Sequence, residues 1–388
     1  MFGNFALPKL DFRWSVPIFY AALFSAFGIY LPFMPVWLAS RGLEAWQISL
    51  CLSLPMLTRI LTPLSGLLAD RAQKRRNVIM ALLGLALGFG IALQMASGFL
   101  AILLLLLAFN FVWNPVMPIT EAFAVHEAEK RGADYGRWRV WGSASFVVFN
   151  VAGGLILTDR PAAIILPLLL ILLGFAAFAA RLLPPSGGAR AGQVRFADLG
   201  RLIAQKGLMR FMLAAGLIQA SHGFYYSFSS VYWVAQDYSG WIIGLLWATG
   251  VLAETVLFYV AGRVTGSIYA VKLVLIGGFC ASFRWFLMGF EPPLGAVFVL
   301  QSLHAASFAL THLGTMKFIR QQVSPDLAAT GQGLFTAISA GLLTGIVMFI
   351  SGPIYEALGG HGFWVMGLFS VSGILLLFSP KVRRVPAT

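Results

Sequence analysis

The sequence predicts an all-α integral membrane protein of twelve transmembrane helices in two six-helix halves, with the N- and C-termini cytoplasmic. Three observations lead there. The 388 residues are 59% hydrophobic and 11% charged, against about 25% charged in a soluble domain, so the chain lacks the polar surface to dissolve in water. Its apolar residues gather in runs of about 20, the length of a membrane-crossing helix, and not in the alternating ten-residue segments of an outer-membrane barrel. Its basic residues are sorted to one side of those runs.

The runs cover 15–38, 48–69, 77–97, 99–122, 138–158, 161–183, 208–235, 240–262, 271–290, 294–316, 329–351 and 362–380. The first, from Ser15, is too long for a signal peptide and lacks a small-residue cleavage site. Six runs form a first half, residues 1–183. The polar stretch 184–207, with Pro-Pro and Gly-Gly pairs, reads as a cytoplasmic linker carrying a short surface helix, and six more runs form a second half, 208–388. Twelve crossings put both ends on one side. On that side lie 23 of the 27 Lys and Arg; only Arg41 and Arg160 lie on the other, with Arg59 and Arg284 inside runs. This bias makes that side the cytoplasm. It also explains the net charge of +13 without nucleic acid. Cys51 and Cys280 both sit inside apolar runs, which supports neither a disulfide framework nor a metal site.

Charged groups in hydrocarbon cost about 3 kcal/mol each on insertion scales and persist where they pair, face a cavity or bind something. Arg59 lies about 11 residues into the second run, roughly 16 Å along a helix, between Pro55 and Pro63. It either satisfies carbonyls freed by the two prolines or binds an anion. Glu121 ends the fourth run and Arg139 begins the fifth, so each needs the other or a ligand; the polar residues between them read as a loop. His222 precedes Tyr225 and Tyr226 in a segment rich in Ser and aromatics that suits a wet cavity wall or aromatic packing in lipid. Glu254, Arg284 and His304 fall on three successive runs, and tilted helices would bring them together as a proton relay or a buried ion pair. His304 and His312 are eight apart with no acid beside them, a poor metal site. No cofactor is expected, nothing resembles a catalytic constellation, and no large soluble loop supports a sensor or a lipid-handling protein.

Six plus six helices about a cytoplasmic hinge is a transporter layout. The loop Gly66-Leu-Leu-Ala-Asp70-Arg71-Ala-Gln-Lys74-Arg75-Arg76 resembles the signature loop of the major facilitator superfamily. There, Gly66, Asp70 and Arg71 would belong to a cytoplasmic latch, although Gln73 replaces the usual glycine. Further segments are similar to the branch holding the proton-coupled lactose permease and the 3-phenylpropionate permease group. They are Gly28-Ile-Tyr-Leu-Pro32-Phe-Met-Pro35-Val-Trp37-Leu, Pro118-Ile-Thr-Glu121-Ala, Tyr135-Gly136-Arg137-Trp-Arg139-Val-Trp141-Gly142-Ser143, residues 219–233, Gly250-Val-Leu-Ala-Glu254, and His361-Gly362-Phe-Trp364-Val-Met366. The resemblance implies that Glu121 and Arg139 hold substrate hydroxyls, that Glu254, Arg284 and His304 belong to a substrate and proton network, and that Phe146 replaces a sugar-stacking Trp. Ser307 stands where that branch keeps its main proton acceptor, so Glu121 or Glu254 would have to carry a proton. Leu257 replaces a polar sugar contact.

These readings lead to an expectation of proton symport by alternating access. The solute would be a small organic molecule, above all an aromatic carboxylate such as a phenylpropanoate. Arg139 or Arg59 would bind the carboxylate, and Trp113, Phe146, Tyr225 and Tyr226 would bracket the ring. The alternatives are a sugar or nucleoside symporter, or a proton-driven efflux protein. A monomer in a bacterial inner membrane, with solute, proton and lipid as its partners, completes the expectation.

Overall fold

The computed structural model describes residues 11–61, 75–185 and 196–379, and all regular structure among them is helical. Nine segments there are long and apolar enough to cross a membrane: Phe12–Ser40, Arg75–Met95, Phe99–Arg131, Tyr135–Leu157, Ala162–Leu182, Gly240–Arg263, Ala270–Met288, Leu294–Gln322 and Thr330–Leu377. Three of the twelve expected runs are missing from that set as separate crossings. The second is described only to Leu61, the seventh is broken, and the last two are joined in Thr330–Leu377. That last segment has 48 residues, about 70 Å of helix at 1.5 Å per residue, twice a bilayer core. Gly359, with φ of +54°, breaks it into two legs.

In chain order the α-helices are α1 (Phe12–Ser40), α2 (Ala45–Leu57), α3 (Arg75–Met95), α4 (Phe99–Trp113), α5 (Val116–Arg131), α6 (Tyr135–Leu157), α7 (Ile165–Ala179), α8 (Phe196–Ala204), α9 (Lys206–Ala220), α10 (Gly223–Ala235), α11 (Gly240–Thr265), α12 (Ala270–Met288), α13 (Leu294–Ser302), α14 (Thr311–Gln322), α15 (Ala328–Thr336), α16 (Thr344–Leu358) and α17 (Phe363–Leu377). Two π-helical segments interrupt the regular geometry: Ala305–Leu310 between α13 and α14, and Ala337–Leu343 between α15 and α16. The latch residues Gly66, Asp70 and Arg71 lie outside the described residues.

The expected loop after Glu121 is mostly helix. α5 runs on through polar residues to Arg131, held by a Glu127–Arg131 ion pair at 2.8 Å, a favoured i,i+4 spacing. Hydropathy marks where the apolar run stops, while the backbone stays helical for two more turns. α5 ends at Gly132 in the left-handed conformation, φ +61°, which glycine adopts without strain. Asp134 then caps α6 by accepting from Gly136 N at 2.8 Å.

Where helices pack in a bilayer the solvent is as apolar as the side chains, so close approach depends on small residues. Two seams of this kind link helices far apart in sequence. A Cβ on Gly244 of α11 would lie 2.2 Å from Asn150 O of α6, and one on Gly154 would lie 2.3 Å from Gly240 O. A Cβ on Gly352 of α16 would lie 2.5 Å from Ser49 Oγ of α2, and one on Gly345 would meet Leu57 at 2.7 Å. Hydrogen bonds close both seams at one end: Trp241 N donates to Thr158 Oγ1 at 3.2 Å, and Trp46 N to Glu356 Oε1 at 3.1 Å. That end holds the α1–α2 turn. A cavity occupies the space between these seams and the other end.

Candidate functional site

The cavity measures about 470 Å³, within the size range of small-molecule pockets. Its wall comes from eight parts of the chain: Tyr30 on α1; Met56 and Arg59 at the end of α2; Phe146 on α6; Gln219, Tyr225 and Tyr226 on α9 and α10; Trp247 and Glu254 on α11; His304, Phe308 and His312 around the first π segment; Thr336 and Ser339 at the second; Thr344 and Met348 on α16. Both π segments contribute lining residues. π-Turns often mark functional sites, because the widened turn offers side chains and carbonyls that a regular helix keeps engaged.

Arg59 is half-buried on this wall. Its guanidinium makes no hydrogen bond or ion pair among the described residues, and its charge lies within reach of the Tyr30 and Tyr226 hydroxyls. Among the described residues it donates to no carbonyl, so it does not cap Cys51 O, the acceptor that Pro55 leaves without its helical N–H. Beyond Pro55, whose own carbonyl accepts from Thr58 Oγ1 at 2.7 Å and Asn114 Nδ2 at 3.3 Å, the chain tightens to a 3₁₀ turn over Thr58–Leu61.

Glu254, His304 and Arg284 form a continuous polar chain. Arg284 donates one N–H to His304 Nδ1 at 3.1 Å and another to Gln301 Oε1. Gln301 Nε2 donates to Tyr225 Oη at 2.9 Å and Leu246 O at 3.2 Å. His304 Nε2 faces Glu254 Oε2 at 3.3 Å. A guanidinium only donates, so Nδ1 of His304 carries a lone pair and the ring's proton sits on Nε2, toward Glu254. Arg284 is fully buried and lies 5.0 Å from the Tyr225 ring centroid and 4.3 Å from that of Trp285. It touches the cavity only through its partners. His222 is likewise behind the wall: it is fully buried, with Nδ1 3.1 Å from Gln219 O and Nε2 3.1 Å from Ser307 Oγ.

Glu121 and Arg139 pair at 3.0 Å. Tyr135 Oη also donates to Glu121, and Arg139 sits over the Phe24 ring at 4.4 Å. The pair is about one-third exposed, with side-chain exposures of 28% and 33%. It lies off the cavity wall, although Arg139 is within electrostatic reach of Glu254. Trp113 is fully buried, stacked on Phe27 at 4.4 Å and edge-on to Tyr30 at 4.9 Å, so it backs the wall and does not form it. Sequence reasoning did not single out Gln301, Tyr135, Trp247 or Gln219. Gln301 was within its reach: a polar residue in an apolar run, one turn before His304. Among the described residues, no three His, Cys, Asp or Glu come together as metal ligands.

A helical membrane bundle with a cavity lined by a few convergent polar groups defines a membrane transport scaffold. The chain belongs to the family described as MFS_1 like, matched over residues 13–366, and is a transporter of the major facilitator type. It is 32% identical over 379 residues to a probable 3-phenylpropionic acid transporter from Escherichia coli (strain K12), covering 95% of this chain and 97% of that one. It is 24% identical to a maltose permease from Geobacillus stearothermophilus over 94% of this chain and 95% of the permease. Among solved structures, the nucleoside transporter NupG superposes with a TM-score of 0.82 at 16% identity, over 95% of this chain and 98% of NupG.

Proposed function

We propose that the protein is a proton symporter for a small aromatic carboxylate, such as a phenylpropanoate, working by alternating access. The observation that carries this is Arg59: a guanidinium with no hydrogen bond or ion pair among the described residues, on the wall of a cavity whose aromatic side chains include Phe146, Tyr225, Tyr226, Trp247 and Phe308. A desolvated cation wants an anion, and Arg binds carboxylates with charge-assisted, often paired hydrogen bonds. Aromatic walls favour a flat apolar ring on the same solute. The similarity to a probable 3-phenylpropionic acid transporter supports the same chemistry.

Glu254 is the proposed proton site. His304 cannot gain a proton on Nδ1 while Arg284 donates there, so the carboxylate facing Nε2 is the group left to titrate. An ionised Glu254 in the same cavity would repel an anionic solute; protonation removes that repulsion, and binding then couples to the proton. Glu121, held by Arg139 and Tyr135, is the second candidate.

The proposed frame is twelve crossings, termini in the cytoplasm of a bacterial inner membrane, and a monomer whose parts 1–183 and 208–388 rock about the linker 184–207. The two-legged Thr330–Leu377 and the broken pair α9–α10 support that count, and the basic bias supports that sidedness. The end sealed by the two glycine seams is then external, and the cavity faces inward. Gly66, Asp70 and Arg71 would latch the inner side in the opposite state.

A sugar or nucleoside remains the second reading, favoured by the hydroxyls of Thr336, Ser339 and Thr344 on the same wall. Uptake of 3-phenylpropionate into proteoliposomes under an imposed pH gradient separates the two. Gradient-driven accumulation is expected. Uptake that ignores the gradient removes the symport claim, and transport of maltose or uridine without aromatic acids moves the solute to that class. Glu254→Gln is expected to bind and exchange the acid while losing accumulation; normal accumulation moves the proton site to Glu121.

A further inference from the structure

We infer that His312 is a second proton station on the cavity wall, which takes the proton from Glu254 and hands it to water at the cavity's open end. This rests on Glu254 as the proton site and adds the route by which its proton leaves.

Three histidines lie at or behind this wall, and two are engaged. His222 is fixed by Gln219 O and Ser307 Oγ, and His304 stands between Arg284 and Glu254. His312 lines the cavity, and among the described residues its ring nitrogens make no hydrogen bond and are not sealed from solvent. A neutral imidazole carries one N–H and one lone pair, so it accepts a proton at one nitrogen and releases one from the other. Histidine makes that exchange near neutral pH.

The helix register puts His312 beside Glu254. α11 packs along the π segment that leads into α14. A Cβ on Gly250 would lie 3.4 Å from His304 Cβ. Eight residues further along each stretch, the rings of Phe258 and His312 meet edge-on, with centroids 6.4 Å apart. The two stretches therefore run side by side in the same direction. Glu254 falls midway, one turn or about 6 Å from either level. It spans that offset to His304 directly, with Oε2 3.3 Å from Nε2. The offset to His312 is the same, and helical side chains lean toward the N-terminus, which carries His312 back toward the level of Glu254. The other carboxyl oxygen, Oε1, makes no hydrogen bond among the described residues and is not sealed from solvent.

The order Glu254, His312 runs away from the end closed by the glycine seams, where α11 begins at Gly240. Five residues past His312, about 7–8 Å along the helix, Lys317 Nζ donates to Gly266 O and Ile268 O at 2.9 Å in the turn between α11 and α12. α12, α9 and α15 also pack against α14. Their ionisable groups include Lys272, Cys280 and Arg284 on α12 and Lys206 and Arg210 on α9. Arg284 is bonded to His304, Arg210 donates to Ser379 Oγ at 2.7 Å, and Lys206 and Lys272 are exposed. Glu254 is the charged group among the described residues that acts on the His312 ring.

The transfer breaks the Glu254 O–H bond and forms an N–H bond at the ring's lone pair, directly or through one water. Carboxylate and imidazolium result. Water at the open end then takes the proton from the other ring nitrogen, and the imidazole is neutral again. Uptake follows the same groups in reverse.

The test is a light-triggered pH jump on the purified full chain, followed by time-resolved infrared absorption with no solute present. The carboxyl band that Glu254→Gln removes reports protonation of Glu254. In His312→Gln that band should rise at least about tenfold more slowly than in wild type. Imidazole added to the buffer should restore most of the rate, which it would not do for a merely structural defect. His312→Asn carries the test if the glutamine variant does not fold. A rate within about twofold of wild type means that Glu254 exchanges directly with cavity water, and it overturns the station. Slowing that imidazole does not relieve overturns it as well. If Glu254→Gln removes no band, the reading of Glu254 as the proton site has failed, and the station falls with it. A band present with an unchanged rate sinks the station alone.

Discussion

Arg59 and Arg284 are both guanidiniums inside apolar segments, and their surroundings are opposite. Arg284 is fully buried, bonded to His304 and Gln301, and flanked by the rings of Tyr225 and Trp285. Arg59 has none of these, although it too is held away from bulk water. The difference separates two uses of a membrane charge. A charge whose terminal nitrogens are bonded to protein groups, as those of Arg284 are while its Nε has no partner among the described residues, holds a structure in place. A charge with its donors unspent on a cavity wall is poised for something that arrives. Arg139 falls between them, paired with Glu121 and one-third exposed.

The sharpest way to break this contrast is to remove each guanidinium in turn. Arg284→Met strands His304 Nδ1 and Gln301 Oε1 inside the bundle, at about 1–3 kcal/mol for each buried group left without its partner. A lower thermal-unfolding midpoint in detergent is expected, together with weakened coupling. Arg59→Ala strands no hydrogen-bond partner among the described residues, so its unfolding midpoint should hold. Its affinity for 3-phenylpropionate should fall about 10- to 100-fold, the loss of charged hydrogen bonds near 1.5–3 kcal/mol. Arg59→Lys should recover part of that, since a point charge replaces a fork. If the two removals gave the same stability and the same affinity, the contrast would be empty. The smallest effect is expected at the third pair. Glu121→Gln breaks a partly exposed contact of about 0–1 kcal/mol off the cavity wall. Solute affinity should change by less than about threefold, with any larger effect appearing in transport rate; a tenfold loss of affinity would place the pair in the solute's path.

Much of this was legible from residue type and position. Glu254, His304 and Arg284 are conspicuous because ionisable groups are rare in apolar runs, and all three do meet. Their order was not legible. Glu254 and Arg284 do not touch each other, and His304 stands between them because α11, α12 and the π segment converge there. Gln301 escaped notice because an uncharged amide looks harmless in a sequence, yet it ties Arg284 to Tyr225. That Arg59 makes no hydrogen bond or ion pair among the described residues could not be read at all, because it depends on everything packed around the residue. Trp113 misled for the opposite reason. Its size and polar edge suit a binding wall, but Phe27, Tyr30 and Phe109 enclose it. Helix ends were missed where polarity and backbone structure part company, as in α5.

The two π segments carry a consequence for how such a pocket is acquired and lost. A π-turn is in effect an α-helix with one residue inserted, and each inserted residue swings everything beyond it by about 100° around the axis. His304 and His312 lie on opposite sides of one such insertion, yet both reach the cavity. Deleting one residue from Ala305–Leu310 would leave composition and hydropathy almost untouched while turning His312 and the rest of α14 away from their present face. A single-codon loss in that segment would thus re-line one side of the cavity while the chain kept its polarity profile.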